Sequence, residues 1–224
     1  MKKYCLINNI IGWITFLIAA YTFLSTAEPT VSWWDCGEFI ATSYKLEVGH
    51  PPGAPLFMIL GRIASLFASD TSKVALMINS LSAIASAFAV LFLFWSITML
   101  AKKIIWKEGE LTTVKAIAIF GSAFVGALAF AFSDSFWFSA VEGEVYATSA
   151  FFTSIVFWAI LKWEEQADKK YSDRWLVFIG FLMGLSIGVH LLNLLAIPAI
   201  CFVYYFKRYK KTSRRNNFIA FLVS

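Results

Sequence analysis

Residues 74–100 read VALMINSLSAIASAFAVLFLFWSITML, a run without a single charge, and Lys102-Lys103 close it one residue later. A membrane crossing needs about 20 consecutive apolar residues. No water-soluble core of this size accommodates such a run together with its neighbours. The 224-residue chain is 59% hydrophobic, 18% aromatic and only 15% charged, against about 45–50% apolar and about 25% charged in ordinary soluble domains. A soluble enzyme, a disordered chain and a disulfide scaffold are excluded. Backbone polar groups in hydrocarbon must be satisfied internally, so the expected class is all-α, a polytopic membrane bundle.

Outward from 74–100, further runs follow the same rule. Residues 6–27 come after Lys2 and Lys3. Ser25-Thr26-Ala27 resembles a signal-cleavage site, but the run exceeds the usual signal core of about 7–15 residues, so an uncleaved first helix is expected. Residues 116–133 and 145–161 make the next two spans. Residues 175–206 lie between Arg174 and Lys207-Arg208. Basic flanks at both ends suit a hairpin, 175–189 and 191–206, broken by Gly184, Gly188 and Pro198. Another run starts at residue 216, so the chain reads as the N-terminal transmembrane module of something longer.

Residues 56–68 are apolar but short, with Arg62 near the middle. Charge distribution decides their placement. If they do not cross, the segments 1–3, 101–115, 162–174 and 207–215 share one side and hold 16 of the 19 basic residues. If they do cross, the excess of Lys and Arg in cytoplasmic loops fails at every later loop. Residues 56–68 are therefore expected flat on the outer surface or re-entrant, with the N-terminus cytoplasmic. The formal charge of +5 then reports topology and not nucleic-acid binding. Contact of the 207–215 run with anionic membrane lipid is a lesser reading.

The outer segments collect acids. One contains Trp33-Trp34-Asp35-Cys36-Gly37-Glu38-Phe39, the other Val141-Glu142-Gly143-Glu144-Val145-Tyr146. On a helix, Asp35 and Glu38 share a face. A carboxylate between a membrane edge and the Trp34 indole loses hydration, which raises its pKa and suits a general base. The plainer reading is that Asp35 caps a helix. His50 sits on Gly49-His50-Pro51-Pro52-Gly53-Ala54-Pro55, a rigid turn whose bland role is to end one helix and start the next. Arg62 can snorkel to lipid phosphate or hold a phosphate specifically. His190 and Asn193 fall at the hairpin apex, where polar groups line a cavity or bond between helices. Cys5, Cys36 and Cys201 are far apart and read as small buried hydrophobes. Asp35, Glu38, Glu142, Glu144, His50 and His190 could ligate a divalent metal. No tight ligand spacing is present, so no metal is assigned.

The blocks WWDCGEF, HPPGAPLF, VEGEVYA and GVHLLN carry a resemblance. With its paired acids, His-Pro-Pro turn and second-loop acid, the chain is similar to protein O-mannosyltransferases of the glycosyltransferase C superfamily. More closely, it resembles a bacterial transmembrane family of the Bacteroidetes, long known only as a domain of unknown function, whose vertebrate relatives are protein O-mannosyltransferases. The resemblance implies a glycosyltransferase C-like bundle in the cytoplasmic (inner) membrane, with its active site on the periplasmic face. It implies transfer of a sugar, such as mannose, from a polyprenyl-phosphate carrier to a Ser or Thr hydroxyl of an envelope or secreted protein. Asp35 takes the general-base position. Glu38 shares that role or positions the acceptor, and Glu144 matches the second-loop acid. His50, Arg62, Trp34, Glu142, Tyr146, His190 and Asn193 are the expected substrate-binding residues. Other functions stay open on the residues alone: a transporter or lipid flippase, or a non-catalytic envelope-assembly protein. Few mid-membrane charges speak against the transport path.

Overall fold

The computed structural model describes residues 2–106, 109–209 and 213–223, and every regular element among them is helical. In order these are α1 (Lys2–Ser25), α2 (Cys36–Lys45), α3 (Pro55–Ser65), α4 (Val74–Ile105), α5 (Thr113–Ala131), α6 (Asp134–Ala140), α7 (Val145–Gln166), α8 (Arg174–Ile187), α9 (Ile197–Arg208) and α10 (Arg214–Val223). Short 3-10 turns, Thr71–Lys73 and Leu191–Ala196, lead into α4 and α9. Among the described residues, five segments are long and apolar enough to cross a membrane: Lys2–Ser25, Thr71–Ile105, Thr113–Ala131, Val145–Gln166 and Leu191–Arg208. The 207–215 basic run falls partly on residues 210–212, which lie outside the described residues.

α4 is the mast of the bundle. It packs against α1, α5 and α7 through small side chains, with Ala83, Ala87 and Ala89 buried beside Ala123, Ala127 and Ala131 of α5. Small residues let helix backbones approach where hydrophobic driving force between helices is weak. A second apolar cluster joins α7 to α8, α9 and α3 around Phe57, Ile78, Val156, Ile160 and Trp163. α1 buries Ala19 and Phe23 against this bundle.

Residues 174–208 fold back on themselves. Arg208 at the end of α9 lies 3.5 Å from Asp173 at the start of α8, and the Lys207 ammonium lies 2.9 Å from Asp168. α8 has 14 residues, about 21 Å at 1.5 Å per residue, short of the ~30 Å hydrocarbon layer. The bend at Gly188–His190 ends it before a full span is built. α3 has 11 residues, too few to cross, and packs on α2 and α4.

The bundle has two charged ends. At one, Lys103 contacts Glu164, Lys102 lies 3.8 Å from Glu165, and the α8–α9 pairs close the hairpin. At the other, α2, α3, the α6–α7 junction and the hairpin apex converge. There the Leu56 N–H donates to the Gly188 carbonyl at 2.7 Å. A Cβ on Gly188 would stand 3.0 Å from the Leu56 Cβ, so glycine permits that approach.

Candidate functional site

The site forms where α2 and α7 begin. Asp35 occupies the N-cap position of α2, yet its side chain makes no capping hydrogen bond. The plainer reading of Asp35 therefore does not describe this helix. A cavity of about 80 Å³, room for two or three waters at ~30 Å³ each, is lined by Asp35, His50, Glu144, Tyr146 and His190, with Phe39, Val145 and Val189 as its apolar wall.

Glu38, one turn into α2, does not line that cavity but holds one of its walls. Its carboxylate accepts from the His50 backbone N–H at 2.5 Å and from the His50 ring Nδ1 at 3.1 Å. The backbone N–H first, and the ring second, keep the Glu38 carboxyl below the ordinary carboxylate range. This two-point clasp docks the proline-rich turn onto α2. With Nδ1–H on the carboxylate, His50 has its Nε2 left for the cavity. His190 is set the other way. Its Nδ1 accepts from the Leu192 N–H at 3.1 Å, which leaves Nε2 as the protonated nitrogen in the neutral ring. The Tyr146 ring packs against it with centroids 5.5 Å apart.

Glu144 is the N-cap of α7 and is 6% exposed. Burial first, then the Glu142 and Asp35 charges, push its carboxyl up to about 7. Glu142 is 2% exposed, and its Oε2 has no hydrogen-bond partner. Between them Gly143 lets α4 come close. A Cβ there would stand 2.8 Å from the Asn79 Oδ1. Asn79 uses its amide N–H₂ to hold the Glu28 and Thr30 carbonyls at 2.6 and 3.0 Å, which fixes the segment leading to Trp33.

The expected residues thus divide. Asp35, His50, Glu144, Tyr146 and His190 share one cavity, with Glu38 and Glu142 beside it. Arg62 stands apart. Its guanidinium donates to the Tyr44 carbonyl at 2.8 Å and lies over the Tyr44 ring, bracing the end of α2. Trp34 is 89% exposed and adopts φ 68°, so its indole does not desolvate Asp35. Asn193 is buried in the hairpin, where it donates to Ser186 Oγ at 2.9 Å. Sequence reasoning read Cys36 only as a small buried hydrophobe and passed over Asn79. The Cys36 thiol lies against Glu142 and Glu144, and burial, then the Glu142 charge, raise its pKa. A cysteine more than 100 positions from its neighbours carries no local signal of them. Asn79, a lone amide in an apolar run, was the one visible hint on α4.

A chemistry follows from this arrangement. A carboxyl that titrates near neutrality suits proton transfer, and two imidazoles with opposed nitrogen roles can accept or donate to an anionic group.

Residues 35–213 match the protein O-mannosyl-transferase TMEM260 N-terminal domain. The chain is 27% identical over 144 residues to the protein O-mannosyl-transferase tmem260 of Dictyostelium discoideum, covering 64% of this chain and 16% of that protein. It is 28% identical over 176 residues to the Mus musculus protein O-mannosyl-transferase TMEM260, covering 77% of this chain and 22% of that protein. The chain thus corresponds to less than a quarter of the length of these curated relatives. No solved structure matches it. The matched segment begins at Asp35 itself and takes in the His50 turn, the Glu142–Tyr146 block and the hairpin: the chain belongs to the protein O-mannosyl-transferase TMEM260 N-terminal domain family.

Proposed function

We propose that this chain carries the catalytic end of a membrane glycosyltransferase of glycosyltransferase C-like fold. It moves a hexose such as mannose from a polyprenyl-phosphate carrier to a Ser or Thr hydroxyl of an envelope or secreted protein. The Lys- and Arg-rich end and the N-terminus face the cytoplasm, and the cavity opens on the periplasmic face, with α3 along the membrane surface there. The observation that carries this reading is an Asp35 carboxylate without a capping bond, sharing one cavity with Glu144, His50 and His190 in a member of this family.

In this reaction the acceptor oxygen attacks the anomeric carbon and its proton passes to Asp35. The bond from that carbon to the phosphate oxygen breaks, and the polyprenyl phosphate leaves with the electron pair. Charge grows on the leaving phosphate, where preorganised donors have their largest effect. His190, with Nε2–H, is a donor lining the cavity, and His50 presents its Nε2 there beside it. Glu144 holds the acceptor hydroxyl or relays its proton. Glu38 is a positioning residue acting through His50. Arg62, braced on Tyr44, contributes to the approach of the lipid phosphate and not to the reacting atoms. The cavity holds only a few waters, so the sugar and the acceptor meet at its mouth.

The test is complementation of a host lacking the native copy with the intact protein, read by mass spectrometry of glycans on membrane and secreted proteins. Wild type is expected to restore a hexose modification, and Asp35→Asn, at equal abundance, to fail. Equal restoration by Asp35→Asn would overturn the assignment of the base. No glycan change with either would overturn the transferase reading.

A further inference from the structure

The second buried cluster is more than scaffolding. The Cys36 thiol and one carboxylate oxygen each from Glu142 and Glu144 all lie within 4.8 Å of one another, and all three residues are buried. The neighbours whose charge bears on this cluster are acidic: the two glutamates themselves and Asp35. Buried carboxylates are stable when paired or bound to a metal. Here the pairing is absent at a specific atom, because the Glu142 Oε2 is fully buried without a hydrogen-bond partner. A second buried oxygen, Asn79 Oδ1, is also without a partner. It lies 2.8 Å from where a Cβ on Gly143, the residue between Glu142 and Glu144 in sequence, would stand.

We propose that Cys36, Glu142 and Glu144 bind a divalent transition-metal ion of the zinc class. A thiolate favours zinc-like ions over magnesium or calcium, and the carboxylates favour a divalent ion over copper(I). Ligands at about 2.0–2.3 Å from a tetrahedral ion lie roughly 3.3–3.8 Å apart, so the cluster closes on an ion by side-chain movement of about 1 Å. Binding exchanges the Cys36 S–H bond for a sulfur–metal bond and releases that proton to solvent, so uptake weakens as pH falls. The ion would neutralise the buried glutamates and fix the start of α2 to the start of α7, whatever reaction the cavity performs.

The experiment uses the intact protein in detergent, stripped with chelator and titrated with Co²⁺ and Zn²⁺. Cobalt bound to a thiolate gives a sulfur-to-metal charge-transfer band. We expect about one ion per chain, that band, and a rise in Tm on Zn²⁺ addition. Cys36→Ser should lose the band, while Cys5→Ala and Cys201→Ala, both at exposed cysteines, should keep it. Glu142→Gln should weaken Zn²⁺ affinity by about 10–100-fold, and its ion-free Tm shows that it still folds. Absence of saturable uptake by wild type, or a band and affinity unchanged in Cys36→Ser and Glu142→Gln, would overturn the proposal. It would leave the glutamates to share a proton. Glycan complementation is scored separately, so a failed metal site and a failed transferase reading give different results.

Discussion

The two ends of the bundle handle acidic residues in opposite ways. At the Lys- and Arg-rich end, Glu164, Glu165, Asp168 and Asp173 each have a cation within reach, in Lys103, Lys102, Lys207 and Arg208. At the other end Asp35, Glu142 and Glu144 face one another, with Glu142 and Glu144 buried. Glu38 there pairs with His50. Solvent-facing pairs of the first kind contribute about 0–1 kcal/mol each. Acids gathered without cations destabilise the fold, and such arrangements cluster where chemistry or ligand binding uses them. The difference separates acids paired with cations at one end of the bundle from acids left facing one another at the other.

Four substitutions break or sharpen that contrast. Removing the Asp35 carboxylate, in Asp35→Asn, should have the largest effect: transfer falls by about 10²–10⁴-fold, the usual contribution of a general base, in an assay with lipid-linked sugar and acceptor protein. Glu144 comes next, through pH. Its folded pKa of about 7 lies above the ordinary 4.5, so the unfolded chain loses this proton first. The associated stability is complete below about pH 4.5 and is lost as pH rises through 7. Wild-type stability, followed as Tm in detergent, should fall over that window by at most about 3 kcal/mol of free energy, and Glu144→Gln should flatten the fall. Gly143→Ala forces a Cβ against Asn79 and should cost about 1–3 kcal/mol, seen as a lower Tm with Asp35 chemistry intact but slower. Lys207→Gln at the opposite end should change Tm by less than about 1 kcal/mol and leave transfer unchanged. A large loss of transfer there would erase the contrast between the ends.

The spans were legible because hydrocarbon imposes a long, uninterrupted apolar run, and 74–100 and 145–161 meet it without ambiguity. The fold-back of 174–208 was legible from basic residues at both of its ends. α6 was not, since seven residues with polar Ser135 and Ser139 leave no period to read. In the candidate site, Asp35, His50, Glu144 and His190 stood out as polar residues amid apolar sequence, and their convergence in one cavity needed the fold. The sequence neighbourhood of Arg62 shows a cation beside a membrane and hides the Tyr44 carbonyl to which it donates. Trp34 misled because a left-handed backbone turns its indole outward. Cys36 was silent, since a thiol's role is set by what faces it, here acids from another loop.

The bond from the Leu56 amide to the Gly188 carbonyl joins the His50 wall to the His190 wall by main chain alone. The spacing of the two imidazoles is therefore insulated from side-chain change at position 56, provided Gly188 stays small. Only an alteration of the peptide itself reaches it, such as Leu56→Pro, which removes the donor at a helix start that tolerates proline. The width of the mouth is in this sense a property of the fold, held by main chain while the side chains around it can vary.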